Sequence, residues 1–200
     1  MPVTEAPGEA TDEDSAPWFP SIWTFIALDC ATFGVLFGVF MSERLHDPAA
    51  YDASASLLDV RLGLANTLIL ITSSYLVALS AAAARRDDLP ALRRLLLGGI
   101  VVGAGFAVLK LTEYAMKIAA GITPQTDAFF GYYFALTGVH FLHYGAGMLV
   151  LLVLLRRAQR VAAVDEGLTR AVMSGGIFWH MVDLLWVFLF PMLYLLGAVR

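Results

Sequence analysis

Long apolar runs alternate with short polar stretches along this chain. Five of the runs reach the roughly 20 residues that a helix needs to cross a hydrocarbon core. They fall at Ile22–Met41, Leu64–Ala84, Leu95–Ala115, Phe129–Leu155 and Val172–Leu196. The pattern predicts an all-α integral membrane protein, a bundle of five transmembrane helices. Composition agrees: 59% of the 200 residues are hydrophobic and 15% are charged, where a soluble domain carries about 25% charged residues. Connections this short leave no room for a separate soluble domain, so residues 21–200 read as one transmembrane unit.

Residues 1–20 break the pattern. They hold Glu5, Glu9, Asp12, Glu13 and Asp14 with Pro2, Pro7 and Pro17, and no basic residue. Such a composition cannot bury a core and reads as a disordered acidic tail. It lacks the basic n-region of a secretory signal, so the first span is expected to remain as a signal anchor. Lys and Arg then set the orientation. The second and fourth connections carry Arg85, Arg86, Arg93, Arg94, Arg156, Arg157, Arg160 and Arg170. The first and third connections and the C-terminus carry only Arg44, Arg61, Lys117 and Arg200. The positive-inside rule places the N-terminus in the cytoplasm and the C-terminus outside.

Small residues recur at helix-contact spacing within the spans. Gly34 and Gly38 form one GxxxG and Gly99 and Gly103 another, while Gly138 and Gly145 share a face of the fourth span. Faces of this kind let helices approach closely in lipid, within a chain or between subunits. Asn66, Thr67, Thr72, Ser73 and Ser74 in the second span can bond across helices or back to the i−4 carbonyl. Pro191 removes one ladder hydrogen bond and should kink the last span. The sole cysteine, Cys30, excludes an intrachain disulfide or a thiolate cluster and reads by default as a buried structural thiol.

Ionisable side chains at bilayer depth are costly, at least about 2.5–3.5 kcal/mol on insertion scales, and usually face a protein interior. Here they are Asp29, Glu113, His140, His143, His180 and Asp183, with Lys110 three residues before Glu113. From the helical rise and the cytoplasmic span ends, Asp29, His180 and Asp183 lie roughly 10, 12 and 16 Å deep, and His143, His140 and Glu113 roughly 18, 22 and 27 Å. Neighbours in depth are natural partners, so Asp29 is expected near His180 and His140 near Glu113. Asp29 has no basic residue near it in sequence, and a carboxylate left without a partner would take up a proton. Lys110 forms an ion pair with Glu113 or snorkels outward alone. His140 and His143 share one helical face, as do His180 and Asp183. Three histidines and a carboxylate suit zinc, copper or iron. A buried hydrogen-bond network between helices needs the same residue types and is the favoured reading.

These residues also carry a family resemblance. Thr137-Gly138-Val139-His140-Phe141-Leu142-His143 resembles the TGxHGxHV element of haem-copper oxidase subunit III, and Trp179-His180-Met181-Val182-Asp183-Leu184-Leu185-Trp186 resembles its WHFVDxVW element. Asn66-Thr67-Leu68-Ile69-Leu70 resembles its NTxxL and Glu113-Tyr114 its EY, in family order across four spans. The resemblance implies the five-helix form, which lacks the first two helices of the seven-helix version and has the N-in, C-out topology that the charges also indicate. Three positions depart from the family pattern: Asp29 stands for a buried glutamate that reacts with carbodiimides, Phe141 for glycine, and Met173 for a glutamate.

By that resemblance the chain is a non-catalytic subunit of a respiratory terminal oxidase in a bacterial cell membrane. It packs on the catalytic subunit, supports proton uptake and turnover stability there, and binds phospholipid, with Asp29 as its candidate proton-related carboxylate. Four histidines in all are too few for two haems and a copper, so haem and copper are expected in partner subunits I and II and none in this chain. Its partners would be those subunits and membrane lipids, not nucleic acid. The alternative is a NorE-like accessory protein of nitric oxide reductase, acting in assembly or stability. A transporter or metal enzyme using the histidines directly is a third class.

Overall fold

Aspartates set where the helices begin. Asp47, Asp59, Asp88, Asp127 and Asp165 each accept a hydrogen bond from a backbone N–H two or three residues onward, which satisfies a donor the first turn leaves unpaired. The computed structural model describes residues 22–196; the acidic tail and Arg200 lie outside the described residues. Its helices are α1 (Ile22–His46), α2 (Pro48–Ala55), α3 (Val60–Ala84), α4 (Leu89–Ala119), α5 (Ala128–Arg160) and α6 (Glu166–Phe190). Five are long and apolar enough to cross a membrane; they contain the first four spans expected from the sequence and most of the fifth, whose last residues lie beyond the α-helix that ends at Phe190. α3, α4, α5 and α6 start ahead of the apolar runs at polar first turns capped by aspartate, and α1, α4 and α5 carry basic residues in their last turns.

The short α2 was not anticipated. Pro48 stands at its first turn after the Asp47 cap, a position where the missing N–H costs nothing. Tyr51 packs its ring on Phe40 and Phe129 at centroid distances of 5.7 and 6.0 Å, and Ser54 donates to Asp127 Oδ2 at 2.7 Å. Asp127 therefore both caps α5 and holds α2. Asp127→Ala is expected to destabilise the protein by about 1–2 kcal/mol, read as a lower midpoint of thermal unfolding in detergent. A midpoint unchanged from the parent would refute that dual role.

Two helix ends turn through left-handed backbone. Gly121 at φ 78° follows α4, where Ile122 N–H bonds to Lys117 O at 2.9 Å; Asp87 at φ 57° follows α3, where Asp88 N–H bonds to Ala83 O at 3.1 Å. Both are Schellman-type closures, and Asp is among the few residues besides Gly that tolerate that conformation. At Pro191 the last helix passes into one π-helical turn, Pro191–Leu195, closed by Leu196 N–H to Pro191 O. The expected irregularity thus takes the form of a widened turn.

α3 packs against α4 and α6, and α5 against α6 and α4. The shared core includes Leu70, Val77, Phe106, Trp179, Trp186 and Leu189, all fully buried. Gly99 and Gly103 lie where these helices meet: a Cβ on Gly99 would come 2.9 Å from Val77 Cγ2. α1 sits at the edge. Only 11% of its most apolar stretch is buried inside the chain, against 33–50% for the other four. Among the described residues, nothing lies within 4 Å of a Cβ placed on Gly34 or Gly38 of α1, or on Gly138 or Gly145 of α5. Cys30 is exposed, which overturns its reading as a buried thiol: it occupies the outward side of α1, beside Phe33, Gly34 and Leu184.

Candidate functional site

The most enclosed polar cluster surrounds Lys110. Its ammonium donates to Glu113 Oε2 at 3.0 Å, Tyr133 Oη at 3.0 Å and Tyr194 Oη at 2.9 Å. Tyr194 in turn donates to both carboxylate oxygens of Glu113, at 2.8 and 2.9 Å. The ammonium also lies 4.6–5.6 Å from the ring centroids of Tyr114, Tyr133, Trp186 and Tyr194. Three donors meet three acceptors inside a shell of ring faces, which is what a buried ammonium requires. Of the two readings open for Lys110, the structure has the ion pair. The tyrosines were missed in sequence because Tyr194 reaches the pair from the π-helical turn after Pro191.

A second pair links α1 to α5. His143 Nε2 lies 3.0 Å from Asp29 Oδ1, and His143 Nδ1 lies 2.9 Å from Val139 O. This corrects the expected Asp29–His180 pairing and the isolation of Asp29. Distances counted from span ends do not fix the axial offset of packed helices, and α1 lies with Phe33 against the His143 ring at 5.6 Å. Since a carbonyl oxygen only accepts, Nδ1 carries a proton; the contact between Nε2 and Oδ1 then needs one further proton, on the imidazole or on the carboxyl. The pair is therefore joined by one hydrogen-bonded proton. Asp29→Ala removes that bond, and α1 is expected to lose hydrogen-exchange protection while α3 to α6 keep theirs. Equal loss in all the helices would show that α1 is not held separately.

His180 instead faces α3, with Nδ1 at 2.5 Å from Ser74 Oγ. Asp183 sits against the same hydroxyl, with Oδ1 buried and unpartnered. His140 is fully buried between the rings of Phe106 and Trp186, at 5.6 and 5.3 Å, and neither nitrogen has a partner among the described residues. Its expected contact with Glu113 is not made as a hydrogen bond, because Lys110 and Tyr194 take both carboxylate oxygens. Asn66 is likewise buried with its amide unpartnered, while its neighbour Thr67 accepts from Trp186 Nε1 at 3.0 Å. Ser73 bonds across to Gly99 O at 2.7 Å and Thr72 back to Leu68 O, so both bonding modes open to these hydroxyls occur. Among the described residues, no three of His, Cys, Asp and Glu converge as a metal ion would need.

The polar interior thus falls into separate pairs and cages spread over five helices. The family model for cytochrome c oxidase subunit III matches residues 29–198. Subunit 3 of the cytochrome bo(3) ubiquinol oxidase of Pseudomonas aeruginosa is 29% identical over 177 residues, covering 88% of this chain and 84% of that protein. Cytochrome c oxidase subunit 3 of Thermostichus vulcanus is 28% identical over 200 residues, covering 97% of each. A haem-copper oxidase subunit I+III of Aeropyrum pernix is 29% identical over 180 residues, which cover 88% of this chain and 22% of that longer protein. With the five apolar helices, these matches place the chain in the membrane as a multi-pass protein that associates with other oxidase subunits. The chain belongs to the haem-copper oxidase subunit III family.

Proposed function

We propose that this subunit III contributes no redox centre and acts by packing on the catalytic subunit I of a bacterial terminal oxidase, alongside subunit II, with the N-terminus in the cytoplasm and the C-terminus outside. Haem and copper reside in those partners, and phospholipid fills the lipid-facing side. The observation that carries the reading is how the ionisable side chains are used. Lys110 is bound to Glu113, Asp29 to His143 and His180 to Ser74, so these ionisable groups serve to join helices of this chain to one another. The relative in which subunits I and III form one protein supports direct contact between the two. Asp29 and His143, paired at 3.0 Å between α1 and α5, are the groups proposed to support proton uptake by the partner.

The test is purification of the tagged protein from native membranes in mild detergent, with a reduced-minus-oxidised haem spectrum and mass spectrometry of what co-purifies. Haem together with oxidase subunits I and II is the expected result. Nitric oxide reductase subunits would assign the chain to the NorE-like branch. A colourless protein purifying alone would count against both.

A further inference from the structure

Between α3 and α6 runs a surface groove of about 290 Å³ with a floor of small residues, Ala78, Ala81 and Gly176, and Arg85 at one end. His180 lines it. Ser74 Oγ engages the Nδ1 side of the ring at 2.5 Å. The other nitrogen, Nε2, is neither buried nor partnered among the described residues. His180 stands eight residues past Val172, where the apolar part of α6 begins, or roughly 12 Å into the span. An imidazole nitrogen facing hydrocarbon at that depth is unfavourable unless something bonds to it. Acyl chains have no donor or acceptor to offer, and a lipid headgroup lies too far off.

We infer that this groove seats a transmembrane helix of the catalytic oxidase subunit, which presents a hydrogen-bonding side chain to His180 Nε2. The inference rests on the function proposed above and adds to it the place of contact. A floor of alanine and glycine lets a second helix come close, and interhelical hydrogen bonds of this kind help hold membrane helices together. Ser74 and Asp183 serve as positioning residues: the hydroxyl orients the ring so that its second nitrogen points out of the bundle. Arg85 makes no salt bridge among the described residues, although it shares a neighbouring surface pocket with Asp87, Asp165 and Glu166.

The experiment places p-benzoylphenylalanine at position 177, on the groove wall, and irradiates the complex purified from native membranes. The expected photoadduct maps to a transmembrane peptide of the catalytic subunit. In parallel, His180→Phe is expected to lower the amount of catalytic subunit retained through purification by about threefold to fifteenfold, the range of one interhelical hydrogen bond. His180→Gln, which restores a donor and an acceptor, is expected to recover most of it. Adducts to phospholipid alone, or to a second copy of this chain, with the catalytic subunit still co-purifying, would overturn the groove as the contact and leave the proposed function standing. Equal retention in His180→Phe and the parent would overturn it too. Absence of any catalytic subunit from the parent preparation would overturn both.

Discussion

Replacing Glu113 by leucine is expected to destabilise the protein by about 3–5 kcal/mol, while the double variant Lys110→Met/Glu113→Leu regains most of that loss. Lys110 and Glu113 are 0% and 1% exposed, so neither charge is relieved by solvent when its partner goes. The single variant leaves an ammonium held only by the hydroxyls of Tyr133 and Tyr194 and by ring faces. In the double variant no charge remains, and two apolar side chains of similar volume fill the cage. The two tyrosine hydroxyls can still bond to each other or to water, so the residual cost is that of imperfectly satisfied neutral groups. Thermal unfolding of parent, both single variants and the double in one detergent gives the coupling directly. If the two single losses simply add in the double, the pair is not the energetic unit that its geometry indicates.

Gly103→Leu should be nearly as damaging, by about 3 kcal/mol. A Cβ at this position would lie 2.9 Å from Ser73 Oγ, 3.1 Å from Trp179 Cζ2 and 3.2 Å from Met148 Cε, atoms on α3, α6 and α5. Met148 Cε ends a flexible side chain and can move aside, but the rigid ring of the fully buried Trp179 cannot do so as readily. Ser73 is already tied to Gly99 O at 2.7 Å, and Tyr144 donates to Gly103 O at 2.9 Å. Gly34→Ala and Gly138→Ala, where the space is open, should stay within about 0.5 kcal/mol of the parent in the isolated protein. Unfolding midpoints of the three variants decide the matter. A larger loss at Gly34 than at Gly103 would mean that α1 is packed more tightly than its exposed face indicates.

Those two glycine pairs illustrate how far a motif can be read from the chain alone. Gly34–Gly38 and Gly99–Gly103 are the same pattern in sequence, yet one faces outward and the other lies at the meeting point of four helices. Spacing reports that a helix has a small face; it carries no information about what lies opposite. The same limit governed the ionisable residues. Lys110 and Glu113 are three apart on one helix, so their meeting was one of two readings available from helical geometry. Asp29 and His143 are 114 positions apart, and depth counted from span ends misassigned the aspartate's partner. Helix starts are legible in the sequence: each of five aspartates stands just before a helix, where its side chain can cap the first turn.

The sequence by itself determined five membrane-length helices, the family, and which ionisable residues lie within the spans. These depend on run length, composition and local motifs, and a hydrocarbon environment forces nearly every backbone hydrogen bond to be made within its own segment. Only the tertiary structure decided which polar groups meet. It paired Asp29 with His143 and Ser74 with His180, and it closed the Lys110 cage with Tyr194 through the turn that Pro191 widens. The reason is physical: the relative rotation and axial offset of helices are set by packing among side chains distant in sequence. In lipid those contacts, not a hydrophobic gradient, hold the bundle together.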